Sequence, residues 1–199
     1  MPSADETPPL MDEADARDGR LMAAAARGDT EAFRALVETH RNRVYGTVVR
    51  MLGETSEAED LAQQVFVRVW QSAKRYEPRA RFTTWLLTIT RNLVFNELRR
   101  RRRHPVAPIE TELGDRAAEL HDHATRSPSQ EALDSELQDA IRNAIAALPE
   151  QQRAAVILRR YEDLPYEEIA KVLGTSVPSV KSLLFRARTE LRERLSRYL

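Results

Sequence analysis

The chain contains no cysteine among its 199 residues, which removes disulfides, thiolate zinc sites and thiol redox sensing from the functions open to it. Glycine is scarce, at six residues, and the alternation of a half-buried strand is nowhere sustained. Alanine, leucine, arginine and glutamate dominate instead, so the sequence predicts an all-α protein. No apolar run approaches the ~20 residues of a membrane span, so no membrane insertion is expected. The opening MPSADETPPL has neither a basic n-region nor an apolar h-region, which points to a cytoplasmic protein. No nucleophile, base and orienting group converge, and neither a phosphate loop nor metal-ligand spacing occurs. The expectation is therefore a protein that is not an enzyme and carries no cofactor and no metal. His121 and His123 flank Asp122, but alternating histidines in an acidic tract are more often solvated than ligating.

With 42% hydrophobic and 31% charged residues, the composition is that of one or two small soluble domains. The formal net charge is zero, yet the charges are segregated: −4 over residues 1–20, +7 over 21–104, −7 over 105–139 and +4 over 140–199. Two basic blocks separated by an acidic connector say more than the total, because binding follows the local field.

The most legible stretch is PYEEIAKVLGTSVPSVKSLLFRAR, residues 165–188, which reads as a helix-turn-helix. Its first helix runs from Tyr166 to Leu173, with Ile169, Ala170 and Leu173 on one face, and stops at Gly174, where a turn takes positive φ. Ser176 caps the second helix, and Pro178 sits in the opening turn, where a missing N–H is harmless. In that helix Val180, Leu184, Ala187, Leu191 and Leu195 form the buried stripe. Ser182, Phe185, Arg186 and Thr189 lie opposite, with Ser179 and Lys181 on the flanks. Cations, hydroxyls and one exposed aromatic suit a major groove.

Residues 1–20 combine Pro2, Pro8 and Pro9 with acids and lack apolar periodicity, so a disordered acidic tail is expected. Asp29 should cap a helix whose stripe of Phe33, Leu36, Val37, Val44, Val48 and Leu52 ends at Gly53, and Thr55 or Ser56 should start the next. The helix from Asp60 to Ala73 places Leu61, Val65, Phe66, Val69 and Trp70 on a broad core face. Asp60, Gln63, Gln64, Val67 and Gln71 lie opposite, and a valine rimmed by amides and a carboxylate fits protein docking. After Pro78, Phe82, Trp85, Leu86 and Ile89 begin another packed segment that ends in five arginines, Arg99 to Arg103. Such a run beside aromatics and amides fits a surface that tracks phosphates and handles unstacked bases. From Pro105 to about Gln130 the pattern dissolves into an acidic linker. Helical periodicity resumes at Leu133 and leads into a second domain of about four helices.

The blocks EAEDLAQQVFVRVW, FTTWLLTITRNLVFNELRRRR and ALPEQQRAAVILRRYEDLPYEEIAKVLGTSVPSVKSLLFRARTEL together resemble the extracytoplasmic-function (ECF) sigma factors of the bacterial sigma-70 family, from about Asp29 to Leu195. The resemblance implies two helical domains. Residues 21–104 correspond to region 2, which docks on the clamp of core RNA polymerase and reads and melts the −10 element. Residues 131–199 correspond to region 4, which reads the −35 element, and residues 105–130 are the flexible linker between them. By position, Asp60, Gln63 and Gln64, with Val67 among them, match the clamp-binding helix. Arg91, Asn92 and Asn96, followed by Arg99 and Arg100, match the segment that captures the −10 non-template strand, with Asn92 at the base pocket. Ser179, Lys181, Ser182, Phe185 and Arg186 match the −35 reading helix. The implied partners are core RNA polymerase, promoter DNA and an anti-sigma factor, since sequestration is usual in the family. The competing reading is a stand-alone helix-turn-helix regulator with an N-terminal sensing or dimerisation domain. It leaves the clamp-like helix and the arginine-ended segment without a role.

Overall fold

The computed structural model describes residues 13–77, 81–103 and 128–198, and these form an all-α structure with no strand among them. The expected linker up to residue 127, with His121 and His123, lies outside the described residues.

The N-terminal domain consists of α1 (Glu13–Ala26), α2 (Thr30–Leu52), α3 (Ala58–Ser72) with a 3-10 turn at 73–75, and α4 (Phe82–Arg103). Asp29 caps α2 as expected, its carboxylate accepting from the backbone N–H groups of Glu31 and Ala32 at 3.0 Å each. Gly53 ends α2 with φ 83°, a left-handed conformation that glycine adopts without a Cβ penalty. The next helix starts later than the expected Thr55 or Ser56. Helix α3 starts at Ala58 with Glu57 at the cap position and no side-chain cap bond, and Thr55 contributes its carbonyl to the Ala58 N–H instead.

Residues 13–20, expected in the disordered tail, belong instead to α1, and residues 1–12 lie outside the described residues. That helix buries few apolar side chains, chiefly Met22 and Ala25, which is why no periodicity marks it. Its buried Asp15 and Asp18 find distant partners instead: Asp15 pairs with Arg81 at 3.1 Å and Asp18 with His40 at 2.8 Å. The two carboxylates, after burial itself, push the Tyr76 phenol upward from its ordinary pKa.

The C-terminal domain consists of α5 (Pro128–Ala146), α6 (Glu150–Arg160), α7 (Tyr166–Leu173) and α8 (Val177–Arg194), followed by a 3-10 turn at 196–198. Helix α5 begins before the expected end of the linker. In the helix-turn-helix, Gly174 takes φ 62° and donates its N–H into the end of α7, and Ser176 caps α8 by accepting from the Ser179 N–H. Val180, Leu184 and Ala187 are buried as the wheel required. On α7 the fully buried residues are Ile169 and Val172, while Leu173 is only half-buried.

The two domains share one hydrophobic core, with α4 lying against α7 and α2 against α6. Polar bonds cross the same boundary. Thr47 donates to Glu162 at 2.6 Å, Arg43 pairs with Glu162 at 3.1 Å, and the Arg50 guanidinium lies 4.3 Å from the centroid of the Tyr161 ring.

Candidate polymerase and nucleic-acid interfaces

Helix α3 is amphipathic in a specific way. Leu61, Ala62, Val65, Phe66 and Val69 are buried, while Asp60, Gln63, Gln64 and Val67 all face solvent. Val67 is 54% exposed, and burying its side chain would recover about half of the ~1.5 kcal/mol or more that a valine gains on leaving water. Trp70, expected in the core, is 38% exposed instead. It sits at the rim of the buried face, its ring 4.9 Å from that of Phe33, so a wheel that treats a broad apolar face as uniform misplaces it.

Helix α4 carries the residues matched to −10 capture, and the fold divides them. Asn92 and Asn96 are exposed, while Arg91 is half-buried and turned toward the C-terminal domain, donating from Nε and Nη2 to the Val172 carbonyl at 2.9 and 2.5 Å. Burial lowers the Arg91 pKa from its ordinary value.

The arginine run is not uniformly open. Arg100 donates to Glu97 at 2.8 Å, and Arg101 donates to Glu97 and Glu57 at 2.8 Å each and also pairs with Glu54. Arg102 pairs with Glu150 at the start of α6, and Arg99 touches the Asn96 side chain at 3.4 Å. Hydrogen bonds from Arg100 above all, and from Arg101, hold the Glu97 carboxyl down at about 2 against the opposing effect of burial. Arg99 and Arg103 form no ion pair with a carboxylate among the described residues. The Glu97 pairs are visible in sequence as i+3 and i+4 neighbours, whereas Glu54 and Glu57 come from the connection between α2 and α3.

Helix α8 presents its outer face freely. Phe185 is 71% exposed, and Ser179, Lys181 and Arg186 are exposed beside a half-buried Ser182. Arg186 Nη2 donates to Ser182 Oγ at 2.8 Å, one turn back, which holds the guanidinium along the helix. Phe185, Arg186, Thr189, Glu190, Glu193 and Arg194 line a shallow groove of about 440 Å³. A phenylalanine fixed on a helix face between a guanidinium and hydroxyls can meet a thymine methyl while its neighbours reach base edges.

A helix-turn-helix with a free outer face, joined to a helical domain that exposes an amide-rimmed valine, defines a bipartite binding protein. No metal-ligand cluster occurs among the described residues. Known families agree. Residues 36–104 match the sigma-70 region 2 model and residues 138–191 the sigma-70 region 4 model. The RNA polymerase sigma-H factor of Pseudomonas aeruginosa is 35% identical over 86% of this chain and 90% of its own length. The ECF RNA polymerase sigma-E factor of Haemophilus influenzae is 32% identical over 89% of this chain and 95% of its own length. Among solved structures, the sigma factor RpoE of Bartonella quintana in complex with the anti-sigma factor NepR superposes with TM-score 0.63 at 23% identity, covering 82% of this chain and 96% of that one. CnrH in complex with the cytosolic domain of CnrY superposes with TM-score 0.64 at 24% identity, covering 90% and 97%. At those identities the likeness establishes the fold.

The chain belongs to the sigma-70 family, as one of its ECF RNA polymerase sigma factors. Its function is accordingly to direct transcription initiation from promoters.

Proposed function

We propose that the exposed α3 face, Asp60, Gln63, Gln64 and Val67, docks on core RNA polymerase. In the same reading the outer face of α8, Ser179, Lys181, Ser182, Phe185 and Arg186, reads the −35 duplex. Arg91, Asn92 and Asn96, backed by Arg99 and Arg100, capture the melted −10 strand. The observation that carries this is Val67, an exposed branched side chain within a rim of amides and a carboxylate on a helix whose other face is buried.

The chain supplies binding and no chemistry, so nucleotide transfer is left to the polymerase. Melting opposes stacking and pairing of on the order of 1.4 kcal/mol per base-pair step. Captured bases return ~1–3 kcal/mol each, so a few of them offset a short bubble and favour a stringent promoter. The site of action is the cytoplasm, and no described helix is long and apolar enough to cross a membrane. An anti-sigma factor is the expected regulator, as NepR is in its complex with the similar sigma factor RpoE.

The test is transcription in vitro with purified core polymerase, with start sites mapped to recover both promoter elements. Core-dependent initiation at discrete starts is expected. A chain that shifts duplex DNA unaided and does not assemble with core would be a stand-alone regulator instead.

A further inference from the structure

The five arginines that end α4 cannot all face one partner. Successive residues of a helix point about 100° apart, so Arg99 and Arg103 share a face and Arg101 projects from nearly the opposite side. Their surroundings differ accordingly. Arg99 and Arg103 are exposed, and the Arg100 side chain, 55% exposed, keeps room for a further partner beside Glu97. Arg101 is 29% exposed and reaches three carboxylates: it donates from Nε to Glu97 and from Nη2 to Glu57 at 2.8 Å each, and its Nη1 pairs with Glu54. Glu97 belongs to α4, whereas Glu54 and Glu57 stand in the connection that leads into α3. Glu57 occupies the cap position of α3 without a side-chain cap bond, its carboxylate accepting from Arg101 instead, and Asp60 follows one turn later on the exposed face. Every nitrogen of one guanidinium is thereby engaged between the base of α3 and the end of α4, a fork that a planar cation can hold and a lysine cannot.

We infer that Arg101 is a positioning residue and not a DNA contact: clamped by Glu54 and Glu57 at the base of α3 and by Glu97 on α4, it fixes the end of the strand-capturing helix against the polymerase-docking helix. This rests on the assignment of α3 to polymerase docking and of α4 to strand capture. With α3 held by the polymerase, the place of the melted strand relative to the enzyme is set by where α4 stands against α3, and Arg101 ties the two next to Arg99. Without the guanidinium, Glu54, Glu57 and Glu97 would face one another as like charges, so the connection and the last turns of α4 would move apart. Arg99 and Arg103 would then meet phosphates from a less ordered helix end, and binding would have to supply the ordering that the tie provides beforehand. The carboxylates thus support strand binding although a polyanion repels them.

Removing Glu54 and Glu57 has opposite consequences under the two roles. If Arg101 held a phosphate, Glu54→Ala with Glu57→Ala would release it and take negative charge from the surface, so strand binding would tighten. If Arg101 is a tie, the same pair of changes weakens it. Holoenzyme assembled from core polymerase and the full chain is titrated with the fluorescein-labelled non-template −10 strand of a promoter mapped by its transcription start, at several salt concentrations. The carboxylate pair variant and Arg101→Ala should each bind the strand roughly two- to five-fold more weakly, the worth of partly exposed ion pairs, with the salt slope unchanged. Arg101→Lys, which keeps the charge without the fork, should weaken it likewise. Tighter binding by the carboxylate variant, parental binding by Arg101→Lys, or a slope lower by about 0.7 in Arg101→Ala, the share of one phosphate on a single strand, each overturns the inference. Unchanged strand binding in the alanine variants, whatever their stability in urea melts, overturns it too. Assembly with core polymerase should stay at the parental level throughout, since none of the substituted residues lies on the exposed α3 face, and its loss would move the tie into polymerase docking and overturn its role at the strand. A parent holoenzyme that fails to bind the strand would instead remove the functional reading, and the inference with it.

Discussion

His40 Nε2 and an Asp18 carboxylate oxygen lie 2.8 Å apart in the interior of the N-terminal domain, each less than 6% exposed, and join α1 to α2. The His40 ring also stands 5.2 Å from the ring of Phe82, the first residue of α4. One buried polar pair therefore fixes α1 against the start of the helix assigned to strand capture. Removing one partner of such a pair strands the other without a hydrogen bond, so Asp18→Ala should destabilise the domain by about 3 kcal/mol. Denaturant unfolding measures this, and a loss below about 1 kcal/mol would mean that water replaces the carboxylate.

Glu97 links α4 to its own last turn through Arg100 and Arg101. Its carboxyl is lowered from an ordinary 4.5 to about 2, so its contribution to stability is complete above 4.5 and is lost as the pH falls from there to about 2. Wild type should therefore lose more stability than Glu97→Gln over that interval. Equal acid sensitivity in urea melts at a series of pH values would show that the arginines find other partners.

The two carboxylates at the domain boundary should respond oppositely to neutralisation. Burial raises the Glu162 pKa and outweighs the bond from Thr47 and the charge of Arg43. At Glu168 burial also pushes upward, but the bonds from Lys171 and Thr84 win and the pKa is lowered. At neutral pH the charge on Glu162 thus opposes folding and that on Glu168 supports it. Glu162→Gln should leave the melting temperature unchanged or higher, and Glu168→Gln should lower it. The reverse order in calorimetry would contradict the assignment.

What was legible in the sequence was local. Asp29, Gly53, Gly174 and Ser176 act within a few residues, through cap bonds and positive φ, and each was readable from residue type and position. The exposed faces of α3 and α8 followed from helical period. What escaped rests on pairs distant in sequence: Asp15 with Arg81, Asp18 with His40, Thr47 with Glu162 and Thr84 with Glu168. No periodicity records such pairs, so residues 13–20 of α1 read as tail and the bond from Arg91 to the Val172 carbonyl was not foreseen.

On α3, Asp60→Ala with Gln64→Ala should weaken assembly with core polymerase while leaving thermal stability within about 0.5 kcal/mol, as is usual for surface changes. Both side chains are exposed and outside the buried stripe. Co-purification with core at the parental level would remove this face from the docking surface.

Arg186 separates two kinds of DNA contact. It is exposed on α8 beside Phe185, and it donates a hydrogen bond to the Ser182 hydroxyl at 2.8 Å. A guanidinium so placed can exchange that hydroxyl for a bidentate pair with a guanine edge, or it can sit on a phosphate with Ser182 as a neighbouring donor. The first carries sequence information and the second carries none. If Arg186 forks to guanine, Arg186→Ala should weaken promoter binding by the holoenzyme by ~1–3 kcal/mol and relax preference at a single −35 position. The salt dependence should then change little, because no phosphate counterion is involved. If it holds a phosphate, the loss should be the same for every promoter variant and the slope of log affinity against log salt should fall by about one. Binding to a set of −35 point variants at two salt concentrations distinguishes these results. Because Phe185 and Lys181 are untouched by the substitution, −35 recognition should be weakened and not abolished.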